Sequence, residues 1–286
     1  MGERNMVSPG WLYLCATPIG NLEDITLRVL HTLEQVDFIA CEDTRHTLKL
    51  LNHYEIKKSL LSCHEHNERA SAEKIIARLQ AGESAAMVSD AGMPGVSDPG
   101  AVLVQLCIEH GVPFTVLPGA CAALTALVLS GMDNTAFVFE GFLPREGRAR
   151  REAMEHLLAQ TRTSIFYESP QRLNRTLAAL ANADGERGIA VLRELTKIHE
   201  SVFRGTVAQA AAYFVANPPK GEFVLVLQGA PQRPPLSELD ALPVEEALKI
   251  LLDRGIEKKE AIKQLARARK VKKDDIYKIA LELTES

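Results

Sequence analysis

The chain has 286 residues, 33 Lys and Arg against 37 Asp and Glu, a net charge of −4 and 46 % hydrophobic residues. That length fits about two ordinary domains, and the apolar and charged fractions exclude disordered and fibrous classes. No run approaches the ~18 unbroken apolar residues of a membrane helix. The start, Met1-Gly2-Glu3-Arg4-Asn5-Met6, has neither a secretory apolar core nor a myristoylation pattern, so the expectation is a cytoplasmic protein with no membrane partner.

Short apolar runs alternate with helical periodicity along the chain. Strands are predicted at 11–16, 38–41, 60–62, 85–89 and 114–117, separated by helices at 25–36, 44–54, 69–81 and 101–110. Such βα alternation implies a largely parallel sheet clothed by helices on both faces. The pattern continues with a small-residue helix at 120–130, a strand at 136–140, a helix at 151–159, a strand at 164–167 and a helix at 173–181. Strands at 189–192 and 201–204, a helix at 207–215 and a strand at 223–227 follow, with links around Lys197 and Pro218-Pro219 short enough for antiparallel pairing. Three prolines within residues 230–235 make a stiff linker, and three short helices are expected beyond it, at 244–252, 258–269 and 274–283. The expected division is an N-terminal α/β domain, 1–118, a C-terminal α/β domain, 119–230, and a linker with a basic helical tail, 231–286.

Charge is unevenly spread. Residues 254–273 hold nine basic and two acidic side chains, a net +7 that leaves −11 on the rest of the chain. Lys259, Lys263, Arg267 and Lys270 recur at helical spacing opposite Ile262 and Leu265. A second basic run places Arg145, Arg148, Arg150 and Arg151 just after a strand, where they can grip phosphates beside a cleft. Both patches suit nucleic acid, although a charge run is also the composition of a solvated face. Cys15, Cys41, Cys63, Cys107 and Cys121 are scattered without a CxxC pair, as small buried hydrophobes are, not a disulfide framework or a zinc knuckle.

The most informative loop is Ser89-Asp90-Ala91-Gly92-Met93-Pro94-Gly95-Val96-Ser97-Asp98-Pro99-Gly100. It leaves a strand and enters a helix, where open α/β sheets bind ligands. Asp98 suits an N-cap and Pro99 the first helical position. Gly95 and Gly100 have phosphate-loop spacing, but Ala101-Val102 follow where Lys and Ser/Thr are needed, and no GxGxxG occurs. The glycines alone equally suit a tight turn, whereas Asp90 at a strand end suits ligand hydroxyls or amino groups. Residues 17–22 and 118–123 are further glycine-containing turns at strand ends. Glu42-Asp43-Thr44-Arg45 and His64-Glu65-His66-Asn67-Glu68 follow the second and third strands. The first cluster also reads as a helix cap. His64-x-His66 has the spacing of some metal sites but no identifiable third or fourth ligand, so solvated histidines and no metal are expected.

Taken together, these five segments resemble the tetrapyrrole-methylase-like (class III) S-adenosylmethionine methyltransferases, through nearly the whole chain. Within that group the resemblance is to the branch that methylates the 2′-hydroxyl of a cytidine in the decoding region of 16S rRNA. It implies two α/β domains with S-adenosyl-L-methionine folded into the cleft between them, a homodimer, and 16S rRNA within the 30S subunit as partner. It also implies that Pro18, Asp90, Met93, Cys121 and Ala122 line the pocket, with Tyr167 closing its second-domain side. The first loop, Ala16-Thr17-Pro18-Ile19-Gly20, lacks the glycine-rich pattern of the porphyrin-modifying members, which counts against a tetrapyrrole substrate. A ribose hydroxyl is a poor nucleophile, so such a site needs a base or a cation beside that oxygen. Arg45 and His64, with Glu42 and Asp43, are the candidates, and the identity of the base stays open. The rival readings are a small-molecule methylase of the tetrapyrrole type, a non-catalytic RNA-binding or assembly factor on the same fold, and a metal-dependent hydrolase built on His64 and His66.

Overall fold

The computed structural model describes residues 6–64, 67–231, 239, 242–269 and 271–282; Glu65, His66, Lys270, Pro234 and Pro235 lie outside the described residues. The chain forms two compact units, Met1–Ala230 and Pro231–Ser286.

The first unit opens with β1 (Leu12–Cys15), α1 (Leu27–Gln35), β2 (Phe38–Cys41), α2 (Thr44–His53), β3 (Ser59–Ser62), α3 (Glu68–Gln80), β4 (Ala85–Val88), α4 (Ala101–Glu109) and β5 (Phe114–Leu117). The five strands form one all-parallel sheet in the order β3-β2-β4-β1-β5. Alternation along each strand explains why their sequences are apolar throughout. Leu12, Leu14, Phe38, Ala40, Ala85 and Met87 pack on α3 and α4, while Tyr13, Cys15, Ile39, Cys41, Ala86 and Val88 pack on α1 and α2. With both faces covered, no position on the central strands is left for a polar side chain.

Next, α5 (Ala122–Ser130) leads into β6 (Phe137–Phe142), α6 (Gly147–Ala159), β7 (Thr163–Glu168), α7 (Pro170–Asp184), β8 (Gly188–Arg193), β9 (Ser201–Thr206), α8 (Val207–Ala216) and β10 (Phe223–Leu227). These strands make a second sheet, ordered β6-β7-β10-β8-β9. Only β6 and β7 run parallel, and the short-linked later strands pair antiparallel. One face buries Phe166, Val191 and Leu225 under α6, α7 and α8. The other buries Ile165, Ala190, Leu192 and Val226 under α5, and Ile19 from the loop after β1 packs into the same cluster. A helix that follows the first sheet thus covers the second and joins the two layers.

In the second unit, α9 (Val244–Asp253), α10 (Lys258–Ala268) and α11 (Lys273–Glu282) surround a small core of Leu248, Leu251, Ile262, Leu265 and Ile276. The Arg269 guanidinium donates to the Leu239 and Leu242 carbonyls, 2.5 and 2.6 Å away. One cation of the basic tail is therefore structural. Among the described residues no helix is long and apolar enough to cross a membrane.

Two local expectations need correction. The helix predicted at 151–159 begins earlier, at Gly147, so Arg148, Arg150 and Arg151 of the basic run lie on α6. Likewise α4 does not start on Asp98 and Pro99. It begins at Ala101 with Gly100 at the cap, and the carboxylate that meets its free N–H groups comes from Glu68, at 2.8 Å from Gly100 N and 3.4 Å from Val102 N.

Candidate functional site

Because every strand of the first sheet points the same way, the loops after β1, β4 and β5 leave from one edge. The first two are tied by a pair of backbone bonds, Thr17 N–H to Gly92 O at 2.9 Å and Gly92 N–H to Thr17 O at 3.0 Å. The Thr17 hydroxyl adds a bond to Ser89 O at 3.2 Å. Gly92 has φ +85°, and a Cβ there would come within 3.3 Å of the Ile19 side chain. That backbone and that approach both favour glycine. Against these loops stands the second sheet, where Tyr167, Val224 and Leu192 form one cross-strand row on β7, β10 and β8.

Between them is a cavity of about 350 Å³. Ile19, Met93 and Asp98 come from the first-sheet loops, Cys121 and Ala122 from the start of α5, and Phe142, Tyr167, Leu192 and Val224 from the second sheet. The lining is mostly apolar with a few polar groups, the usual make-up of a small-molecule site. Tyr167 is held edge-on between Phe139 and Phe142, with ring centroids 5.2 and 5.3 Å away. Burial pushes its phenol up to about 12, so it stays protonated at any physiological pH. Asp98 was legible in the sequence only as a cap. Freed from that task by Glu68, it lines the cavity, and burial, then the charges of Glu42 and Asp90, push its carboxyl up to about 6.

Of the pocket residues expected from the sequence, Met93, Cys121, Ala122 and Tyr167 line this cavity. Pro18 is buried next to Ile19 and is not part of the lining. Asp90 also lies outside the lining. Its Oδ1 accepts from Asp43 N at 3.1 Å and its Oδ2 is 3.1 Å from His46 Nδ1. His46 escaped the sequence reading, since nothing local marks it as the partner of an acid 44 residues later.

Of the four catalytic candidates, Glu42 and Asp43 follow β2, which neighbours β4, Arg45 lies in the first turn of α2, and His64 follows the edge strand β3. Asp43 is the N-cap of α2 and also binds the Arg45 guanidinium, with Nη2 2.6 Å from Oδ2. That cation and the Arg45 backbone N–H hold the Asp43 carboxyl well below the usual carboxylate range. Arg45 is otherwise 86 % exposed. Glu42 is half-buried, and His64 is half-buried with its backbone N–H on Asn67 Oδ1 at 2.8 Å. Among the described residues no group of three His, Cys, Asp or Glu side chains stands close enough to hold a metal ion. Cys15, Cys41, Cys63 and Cys107 are buried thiols, and burial pushes Cys15 up to about 12.

The basic patches divide. Arg145 and Arg151 are exposed, and Arg148 pairs with Glu152 at 2.6 Å. Arg150 does not face a phosphate: it is only 6 % exposed and donates to Pro144 O at 3.2 Å and Thr176 Oγ1 at 2.9 Å. Thr176 in turn donates to Glu168, whose fully buried carboxylate is paired with Arg172 at 3.0 Å. On α10, Lys259, Lys263 and Arg267 are exposed opposite buried Ile262 and Leu265.

The family model described as Tetrapyrrole (Corrin/Porphyrin) Methylases matches residues 11–211. A protein of Synechocystis sp. named "Ribosomal RNA small subunit methyltransferase I" is 47 % identical over 277 residues, covering 96 % of this chain and 98 % of that relative. One of the same name from Thermotoga maritima is 46 % identical over 220 residues, 77 % of this chain and 99 % of that relative. Among solved structures, uroporphyrin-III C-methyltransferase from Thermus thermophilus, complexed with S-adenosyl homocysteine, superposes with a TM-score of 0.55 at 15 % identity, over 76 % of this chain and 96 % of that one.

Proposed function

This chain belongs to the tetrapyrrole (corrin/porphyrin) methylase family, and from that premise we propose that it uses S-adenosyl-L-methionine to methylate ribosomal RNA. The finer reading is transfer to the 2′-hydroxyl of a cytidine in the decoding region of 16S rRNA, on the 30S subunit, by a cytoplasmic homodimer. Residues 1–118 and 119–230 serve as the two walls of the cofactor site, and 231–286 as an RNA-binding tail. The observation that carries the reading is the cavity at the strand ends of the parallel sheet, closed by the Tyr167-Val224-Leu192 row. The near-full-length identity to named rRNA methyltransferases supports RNA over a tetrapyrrole, as does the absence of a glycine-rich first loop.

The residues present fit the cofactor. Small side chains at Cys121 and Ala122 leave room for a flat ring against Ile19 and Met93, and Asp98 offers a carboxylate to a cationic group. The bound cofactor supplies an electrophilic methyl group on a sulfonium centre. The chain's own part is to exclude water, orient the hydroxyl and take its proton. Asp90 fixes the His46 ring through Nδ1, the orienting carboxylate that a proton-accepting imidazole uses. In this reading His46 is the base, while Arg45, held by Asp43, and His64 position phosphate or ribose. Pro18 stiffens the first loop behind the cavity, and Glu42 keeps the rim anionic. Incubating the protein and tritiated cofactor with 30S subunits tests this: label at a ribose resistant to alkaline cleavage is expected. Label on a base, or none, contradicts the 2′-O reading.

A further inference from the structure

A second cavity, of about 690 Å³, lies at the outer end of β8, β9 and β10. Its walls carry Arg193, Phe203, Tyr213, Lys220 and Phe223, and no carboxylate is among its lining residues. The aromatic rings form a run: Phe203 and Tyr213 are 5.2 Å apart at 36°, and Phe214 links Tyr213 to Phe223. Tyr213 remains 47 % exposed within that run. Arg193 Nε donates to the Lys220 carbonyl at 2.7 Å, which fixes the two cation-bearing segments beside each other. Arg204 also borders the cavity, but its guanidinium is taken by the Leu129 carbonyl. The nearby acids Glu194 and Glu222 share one ammonium, Lys197, at 3.0 and 2.8 Å, which offsets one of their two charges.

From this composition we infer that the cavity is a subsite for a single-stranded RNA segment flanking the methylated nucleotide. An exposed ring takes an unpaired base by stacking, and fixed cations take the adjoining phosphates. Phe223, at the start of β10, borders both cavities, which lie on opposite faces of the second sheet, so an RNA strand joining them passes that end of β10. The Thermotoga maritima relative points the same way. It is matched over nearly its whole length by 220 residues, which leaves room for the first unit but not for a second in addition. An RNA grip shared with it must lie on the α/β unit. The inference rests on the rRNA-methylation reading.

The test uses full-length protein, a fluorescent single-stranded oligoribonucleotide of decoding-region sequence, and the exposed pair Tyr213→Ala with Lys220→Ala. RNA affinity is expected to fall roughly tenfold or more in the double variant. Tyr213→Phe should keep near-wild-type affinity, and affinity for S-adenosylmethionine and sedimentation should not change. A double variant that binds RNA as wild type does overturns the subsite alone. So does a change in sedimentation with RNA affinity intact, which would assign the surface to a second copy of the chain. Wild-type protein that binds neither the oligonucleotide nor 30S subunits overturns the rRNA reading, and the subsite with it.

Discussion

Each of the two sheets has five strands and helices over both faces, yet they contribute to the site in different ways. In the first, all strands run parallel, so the loops after β1, β2, β3, β4 and β5 gather at one edge and bring distant sequence segments together. In the second, antiparallel pairing leaves no such edge. It offers a wall built from the ends of β7 and β8 and the start of β10, with Tyr167, Val224 and Leu192 in register. Parallel order thus collects polar loop chemistry, and mixed order supplies a flat, apolar cover. Buried charge follows the same division. On the first-sheet side Asp98 is half-buried with its carboxyl at the cavity, whereas on the second sheet Arg150 and Glu168 are buried in a hydrogen-bonded network that serves the fold.

The largest effect expected from this difference is at Arg150. Arg150→Ala leaves the buried Thr176–Glu168 network short of a cation and should cost about 3 kcal/mol in denaturant unfolding. Arg148→Ala on the same helix should stay within about 0.5 kcal/mol. If both variants behave alike, Arg150 is not the structural residue its burial indicates.

Asp98→Asn sharpens the contrast next, because it should move stability and binding in opposite directions. The carboxyl is raised from 3.8 to about 6, so the folded state holds its proton more tightly than the unfolded chain. Stability from this group is fully present below the unfolded value and is lost as pH rises through about 6. At pH near 8 the ligand-free Asn variant should therefore be more stable than wild type, by of order 1–2 kcal/mol once solvent screening of this partly exposed carboxyl is allowed for. Binding of a cationic cofactor needs the ionised form. Wild-type affinity should fall as pH drops through about 6, while the variant binds roughly tenfold more weakly at pH near 8 and shows no such drop. Parallel pH profiles for the two proteins would place the cation elsewhere.

Smaller effects are expected at the first-sheet rim and on α10. Asp43→Ala removes the α2 cap and frees Arg45, lowering the thermal midpoint slightly and methyl transfer more than cofactor affinity. Lys259→Gln, Lys263→Gln and Arg267→Gln should each weaken RNA binding a few-fold and reduce the salt slope by about 0.7–0.9 for each phosphate no longer neutralised. An unchanged slope in the triple variant would make that stripe a solvated face.

Much of this was legible in the sequence, for a physical reason. A strand buried on both faces has to be apolar throughout, so β1, β2 and β4 stand out as unbroken runs, and the turns between them mark the site loops. What escaped depends on partners far along the chain. Asp98-Pro99 carries correct capping chemistry, but Glu68 reaches α4 from 32 residues away and takes over the task. A helix beginning at residue 151 would leave Arg150 outside it, beside exposed Arg148 and Arg151. With the helix begun at Gly147, Arg150 falls on the same stripe as Met154 and Leu157, the buried face. The row Tyr167-Val224-Leu192 follows only from strand pairing, which no local spacing reveals.

The central claim is that S-adenosylmethionine occupies the cavity between the two sheets. Titration calorimetry of the cofactor into wild type and Ala122→Trp addresses it most directly, since Ala122 borders the cavity and an indole there would fill it. Wild type should bind one equivalent per chain with micromolar affinity, and the folded variant should give no binding heat. Equal binding by both proteins, or no binding by wild type with 30S subunits present, would contradict the claim.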